Sequence, residues 1–229
     1  MNVLLRLIGV PILEALVARL PRPLARTLGI TLAVCSNLLP FVALATRQIT
    51  LGDVVLVYWI ESVVIFGWSV IRALTSRAGS RDLRRFAPLF ASVFFGIWSL
   101  VMGVWAAVIA GSMGLTGGVV QYVVIVGAIL LSTTYSLAYQ WFFRGQRDVV
   151  SPIMAVVPAI PRCLPLMAGT LVGAMTMTLL PDDQVRAGLA LIAFRTVVDV
   201  ATQVVVDILG ERRLEAPAPA APRVAAQAS

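Results

Sequence analysis

Six apolar stretches, each long enough to cross a bilayer, dominate this sequence: residues 26–46, 53–73, 87–110, 118–143, 153–180 and 186–209. A spanning helix needs about 20 mostly apolar residues, and a water-soluble fold of this length could not bury six of them. The composition agrees, with 59% hydrophobic against 13% charged residues over 229 positions and a mean hydropathy of +0.94. The expected fold is an all-α integral membrane protein, a six-helix transmembrane bundle occupying residues 24–210. Function then has to sit within the bilayer or on short loops.

The segments flanking the bundle carry weaker signals. Residues 1–23 begin like a signal peptide, but Glu14 and Arg19 interrupt the apolar run and no small-residue cleavage site follows. A retained, short interfacial helix ended by Pro21 and Pro23 is expected there. Residues 211–229 form a tail, alanine- and proline-rich from Ala216 onward, that is expected to be disordered and cytoplasmic. Within the bundle, Pro158, Pro161 and Pro165 should kink or break the fifth stretch.

Every one of the 18 basic residues is arginine, and their placement sets an orientation. The N-terminal segment has Arg6, Arg19, Arg22 and Arg26, the second connection Arg72, Arg77, Arg81, Arg84 and Arg85, the fourth Arg144 and Arg147, and the tail Arg212, Arg213 and Arg223. The opposite side has only Arg47 and Arg186. By the positive-inside bias, both termini are cytoplasmic in the cell (inner) membrane. The lipid bilayer is the expected partner, with anionic headgroups near Arg77, Arg81, Arg84 and Arg85, and no nucleic acid is implied.

The absence of histidine removes histidine-ligated zinc, bis-histidine haem and any Ser-His triad. The absence of lysine removes Ser-Lys dyads and Schiff bases. Cys35 and Cys163 lie in apolar stretches without metal-site spacing and read as small hydrophobes. No cofactor or metal is implied. An aspartyl protease would need paired aspartates in a Gly-x-Gly-Asp context, whereas Asp199 follows Val197 and Val198. Catalysis is therefore the weakest functional reading.

The charges inside the apolar stretches are the strongest functional signal. At 1.5 Å rise per residue, Glu61 lies about 12 Å below Asp53, Arg195 about 13 Å below Arg186, and Arg162 about 15 Å above Pro152, so three helices bring charge to mid-depth. Asp199 is one turn beyond Arg195 and can bridge to it at i, i+4, leaving guanidinium donors for Glu61. Each unpaired charge costs about 2.5–3.5 kcal/mol at the centre of a helix, so the four should pair. Lining the same layer are candidates Tyr58, Trp59, Ser132, Thr133, Ser136, Gln140 and Gln203. Gly169-x-x-x-Gly173 and Gly103-x-x-x-Ala107-x-x-x-Gly111 are small-residue stripes that suit close helix contact.

The string from Leu56 to Ile65, with Tyr58-Trp59-Ile60-Glu61 at its centre, Gly67 and then Arg72, resembles the signature of an uncharacterised prokaryotic multi-pass membrane family, domain of unknown function 6498. Phe94-Phe95, Ser132 to Gln140, Pro158 to Arg162, and Arg195 to Asp199 resemble its further blocks in the same order, so the likeness covers about residues 30–213. Histidines common in those blocks are replaced here by Ile97 or Trp98, Thr133, Leu166 and Gln203. If the family holds a metal or haem through them, this member lacks the ligands. The resemblance implies the fold and the choice of Glu61, Arg162, Arg195 and Asp199, and it implies no activity.

Two functions follow from these residues. In one, the mid-membrane acid–arginine cluster binds or transports a small solute, an ion or a proton. In the other, the chain is a structural or accessory subunit whose cluster only locks helices together.

Overall fold

The computed structural model describes residues 22–179 and 183–215, which contain helices and no strand. The expected interfacial helix falls outside the described residues up to position 21, and so does the tail from position 216. The long helices are α1 (Arg22–Ala45), α2 (Leu51–Thr75), α3 (Arg81–Met113) and α4 (Val119–Leu137), the last continued by a π-helical turn, Ala138–Phe143. Short helices α5 (Gln146–Val149) and α6 (Pro152–Val156) follow, then α7 (Leu164–Thr178) and α8 (Gln184–Glu215). Helix α8 runs past the expected end of the sixth stretch and takes Arg212 and Arg213 into its last turns.

Five helical segments among the described residues are long and apolar enough to cross a membrane: Thr27–Ala45, Leu51–Thr75, Arg81–Met113, Val119–Phe143 and Pro152–Thr178. They point to a membrane location. Helix α3 shows why on its surface: Leu89, Val93, Ile97, Leu100, Val104 and Val108 stand exposed at helical spacing. Such a stripe suits hydrocarbon and not water.

Helix α2 is the axis of the bundle. Half of its most apolar window is buried, against 22% for α3 and 18% for the α4 segment. Its residues Val54, Val55, Val57 and Tyr58 pack with Ile109 of α3, Ile129 of α4, Leu166 of α7 and Ile192 of α8 in the main core. A second contact with α3 stacks Phe66 on Phe95, ring centroids 4.1 Å apart. Trp59 also faces α3, where its indole N–H donates to the Ser99 carbonyl at 2.8 Å. It lies so close to Gly103 that a Cβ there would sit 2.8 Å from the indole nitrogen.

The small-residue stripes follow packing more than spacing. Gly169 meets Leu191 of α8, and Gly173 meets Ile109 of α3. On α3, Gly111 faces open space and Ala107 is exposed, so the close face runs through Gly103, Ala106 and Ala110 instead. A helix repeats every 3.6 residues, so a strict four-residue stripe drifts off the contact within two turns.

The fifth apolar run is broken at its prolines. After α6 the backbone passes through two 3₁₀ turns, Val157–Ala159 and Pro161–Cys163, before α7 resumes. Pro158, Pro161 and Pro165 cannot donate to an i−4 carbonyl, and each opens a new turn.

The connections are paired at the two ends of the bundle. At one end the Arg77 N–H donates to the Arg147 carbonyl at 2.8 Å, Ser76 Oγ donates to Val150, and Arg77 pairs with Asp148 at 3.3 Å. At the other end Asp53 gathers the α1–α2 and α3–α4 connections. Its carboxylate caps α2 through Thr50, accepts from the backbone N–H groups of Thr116 and Gly117 at 3.3 Å each, and takes the Tyr122 hydroxyl.

Candidate functional site

Arg195 is the centre of the polar cluster. It lies on α8, only 2% exposed, and its Nη2 pairs with Glu61 Oε1 of α2. Its Nε faces Asp199 Oδ2 one turn along α8 at 3.4 Å, the spacing the i, i+4 pattern provides. The guanidinium lies over the Tyr58 ring with 4.4 Å to the centroid, so the residue one turn before Glu61 adds a cation–π contact. Asn37 of α1 completes the set by donating from Nδ2 to Asp199 Oδ2 at 3.2 Å. One arginine thus holds α2 to α8 and, through Asp199, reaches α1.

The pairing leaves loose ends. Arg195 Nη1 and Asn37 Oδ1 are buried without a hydrogen-bond partner. Beside them Glu61, Asp199 and Arg162 line a cavity that Ser132 and Thr133 of α4 and Ala33 and Ser36 of α1 help to close. Arg162 enters from the 3₁₀ turn Pro161–Cys163, so the proline break is what points its side chain into the bundle. Its Nε is buried and unpartnered.

Residues 19–221 match the profile of DUF6498, a family of unknown function. The chain belongs to that family. No curated protein and no solved structure matches this DUF6498 chain. Its Tyr58-Trp59-Ile60-Glu61 string divides its work across α2: Tyr58 and Glu61 face the cluster, while Trp59 turns to α3. A helix rotates 100° per residue, so adjacent positions cannot share a face.

The other positions singled out in the sequence take several places. Ser132 and Thr133 line the cavity, with the Thr133 hydroxyl donating to Ile129 at 2.8 Å so that its oxygen is held in place. Gln140 is buried within the π-helical turn, away from the cavity lining. The side chains of Ser136 and Gln203 lie outside the described residues. Where the resemblance put histidines, Thr133 borders the cavity and Leu166 is in the main core. Among the described residues no three metal-ligating side chains gather. Cys163 is buried and Cys35 exposed, both as free thiols.

Three features were only partly legible in the sequence. Asn37 could be read as a polar position of the first stretch near the charge layer, and only its contact with Asp199 gives it a role. Asp53 marked a helix end, and the Thr50–Asp53 spacing of its capping box was its only readable signal. Arg72 counted toward orientation, yet it lines a second cavity together with Arg162.

Proposed function

We propose that this protein is a multi-pass membrane protein that binds or conducts a proton, an ion or a small polar solute at the Glu61/Arg162/Arg195/Asp199 cluster. The observation that carries this is that Glu61 and Asp199, although paired with Arg195, still form the wall of a cavity. A cluster built only to join helices would satisfy its donors internally, whereas here Arg195 Nη1 and Arg162 Nε have no partner. Helix α8 acts as the sixth span in this reading, since it carries two of the three paired charges, Arg195 and Asp199, and packs on α1, α2 and α7. The arginine bias and the shared end of the Arg77 and Arg147 connections support cytoplasmic termini in the inner membrane. Exposed Arg77, Arg81, Arg84 and Arg85 are then placed to meet anionic headgroups.

The test is Glu61→Gln in proteoliposomes, with proton flux followed by a trapped pH-sensitive dye. Wild type is expected to conduct and the variant to lose conduction while keeping its helix content and its elution as a folded species. A variant that unfolds, together with a wild type that conducts nothing, would leave the second reading, a structural subunit held by a static lock. That reading has its own support, because Arg195 is almost wholly buried and touches both acids.

A further inference from the structure

The second cavity differs from the first in the sign of its charge. Its described lining comprises Arg72, Arg162, Trp68, Ser69 and Thr133, with Ile65, Pro158 and Ala159 as the apolar wall, and it contains no acid. Three N–H donors on that lining, Arg72 Nε, Arg162 Nε and Trp68 Nε1, are buried without a hydrogen-bond partner. Buried donors are nearly always paired, and each orphan is destabilising. Here the residues that carry all three line one cavity, and two of them are positively charged. The contrast with Arg195, which the same fold matches with two carboxylates, shows how unusual this is.

The support around the cavity holds the donors in place. Arg72 lies near the face of Trp141 at 6.0 Å, and Trp141 is fixed by its indole N–H donating to Thr75 Oγ1 at 2.8 Å. The π-helical turn buries Trp141 at 1% exposure. Arg162 is presented by the proline-broken backbone, and the Ser69 hydroxyl is turned back to Ile65 at 2.9 Å, leaving the arginines and the indole as the principal donors. Water can accept from an indole or a guanidinium, but it does not offset two positive charges. An oxyanion does both, because it is charged and carries only acceptors, and guanidinium groups match its geometry.

We propose that the cavity between α2, α4 and the broken segment before α7 binds a small oxyanion, a phosphate or carboxylate group held by Arg72, Arg162 and the Trp68 indole. The site lies toward the Arg77–Asp148 end of α2, with Arg72 eleven residues, or about 16 Å, from Glu61. The space open to the centre of a water-sized group is about 20 Å³, which admits one small group and excludes a nucleotide. The inference does not rest on conduction at Glu61, so the Glu61→Gln variant is expected to keep anion binding.

The test uses the full chain in nanodiscs of neutral phosphatidylcholine, titrated with inorganic phosphate at constant ionic strength, with chloride as the control. Tryptophan fluorescence reports binding, since Trp68 and Trp141 border the site. Saturable quenching by phosphate, weakened at least tenfold in Arg72→Gln and Arg162→Gln, supports a free anion as the ligand. No phosphate response, but retention of phosphatidylglycerol through native mass spectrometry that both variants lose, supports the same site occupied by a lipid headgroup. Trp68→Phe removes the indole donor and keeps a smaller aromatic side chain, so it is the variant to use if an arginine variant fails to fold, with a smaller loss of affinity expected. Absence of binding in both arms, or binding that none of the variants weakens, overturns the proposal.

Discussion

Arg195→Met removes the one cation that buried Glu61 and half-buried Asp199 share. Glu61 and Asp199 then lose the cation that pairs with both, and Tyr58 loses the guanidinium above its ring. Removing one partner of a buried pair costs about 3–5 kcal/mol, because the remaining charge stays desolvated. For a chain of this size, each kcal/mol lowers Tm by about 2–4 °C, so the expected drop is roughly 6–20 °C. The assay is thermal unfolding of the detergent-solubilised protein, followed by intrinsic tryptophan fluorescence. A triple variant, Arg195→Met with Glu61→Gln and Asp199→Asn, separates lost charge compensation from lost packing. With all three charges gone, neither acid is left without its cation, and at least half of the drop is expected to return. A single variant that shifts Tm by less than about 2 °C would refute the assignment of Arg195 as the compensating charge, as would a triple variant no more stable than the single.

Asp53 is expected to matter for stability more than its position at a helix end suggests. Asp53→Ala leaves the backbone N–H groups of Thr50, Thr116 and Gly117 without their acceptor, at about 1–3 kcal/mol for each that water does not reach. Tyr122→Phe removes a single bond to that carboxylate, about 1.5–3 kcal/mol, so the Tm of the aspartate variant is expected to be the lower, and the reverse order would contradict this account. Orientation is checked in a chain whose Cys35 and Cys163 are replaced by alanine. Arg77→Cys is expected to resist a membrane-impermeant maleimide until the cells are permeabilised, and Gln48→Cys to react from outside; the opposite pattern inverts the bundle.

Much of the fold was legible because the bilayer is a demanding solvent. A chain that must satisfy its backbone in hydrocarbon writes its helices as long apolar runs, and the first five of those runs reappear as candidate spans. The break in the fifth was also legible, since a proline lacks the donor wherever it stands. The Arg195–Asp199 contact could be read from local spacing. Its extension to Glu61 could be argued only from cost, because buried charges need partners but do not name them.

The sequence by itself determined the helical class, the membrane location and the small set of charges that hydrocarbon cannot leave unpaired. Only the tertiary structure decided which neighbours those charges meet. It assigned both acids to Arg195, turned Trp59 toward α3, drew Asn37 to Asp199, and left Arg162 between two cavities with Arg72 on the far side. The physical reason is range. Apolar runs, capping boxes and i, i+4 pairs are set within a few residues of chain, whereas Glu61 and Arg195 are brought together by the packing of α2 against α8, which depends on every side chain between them.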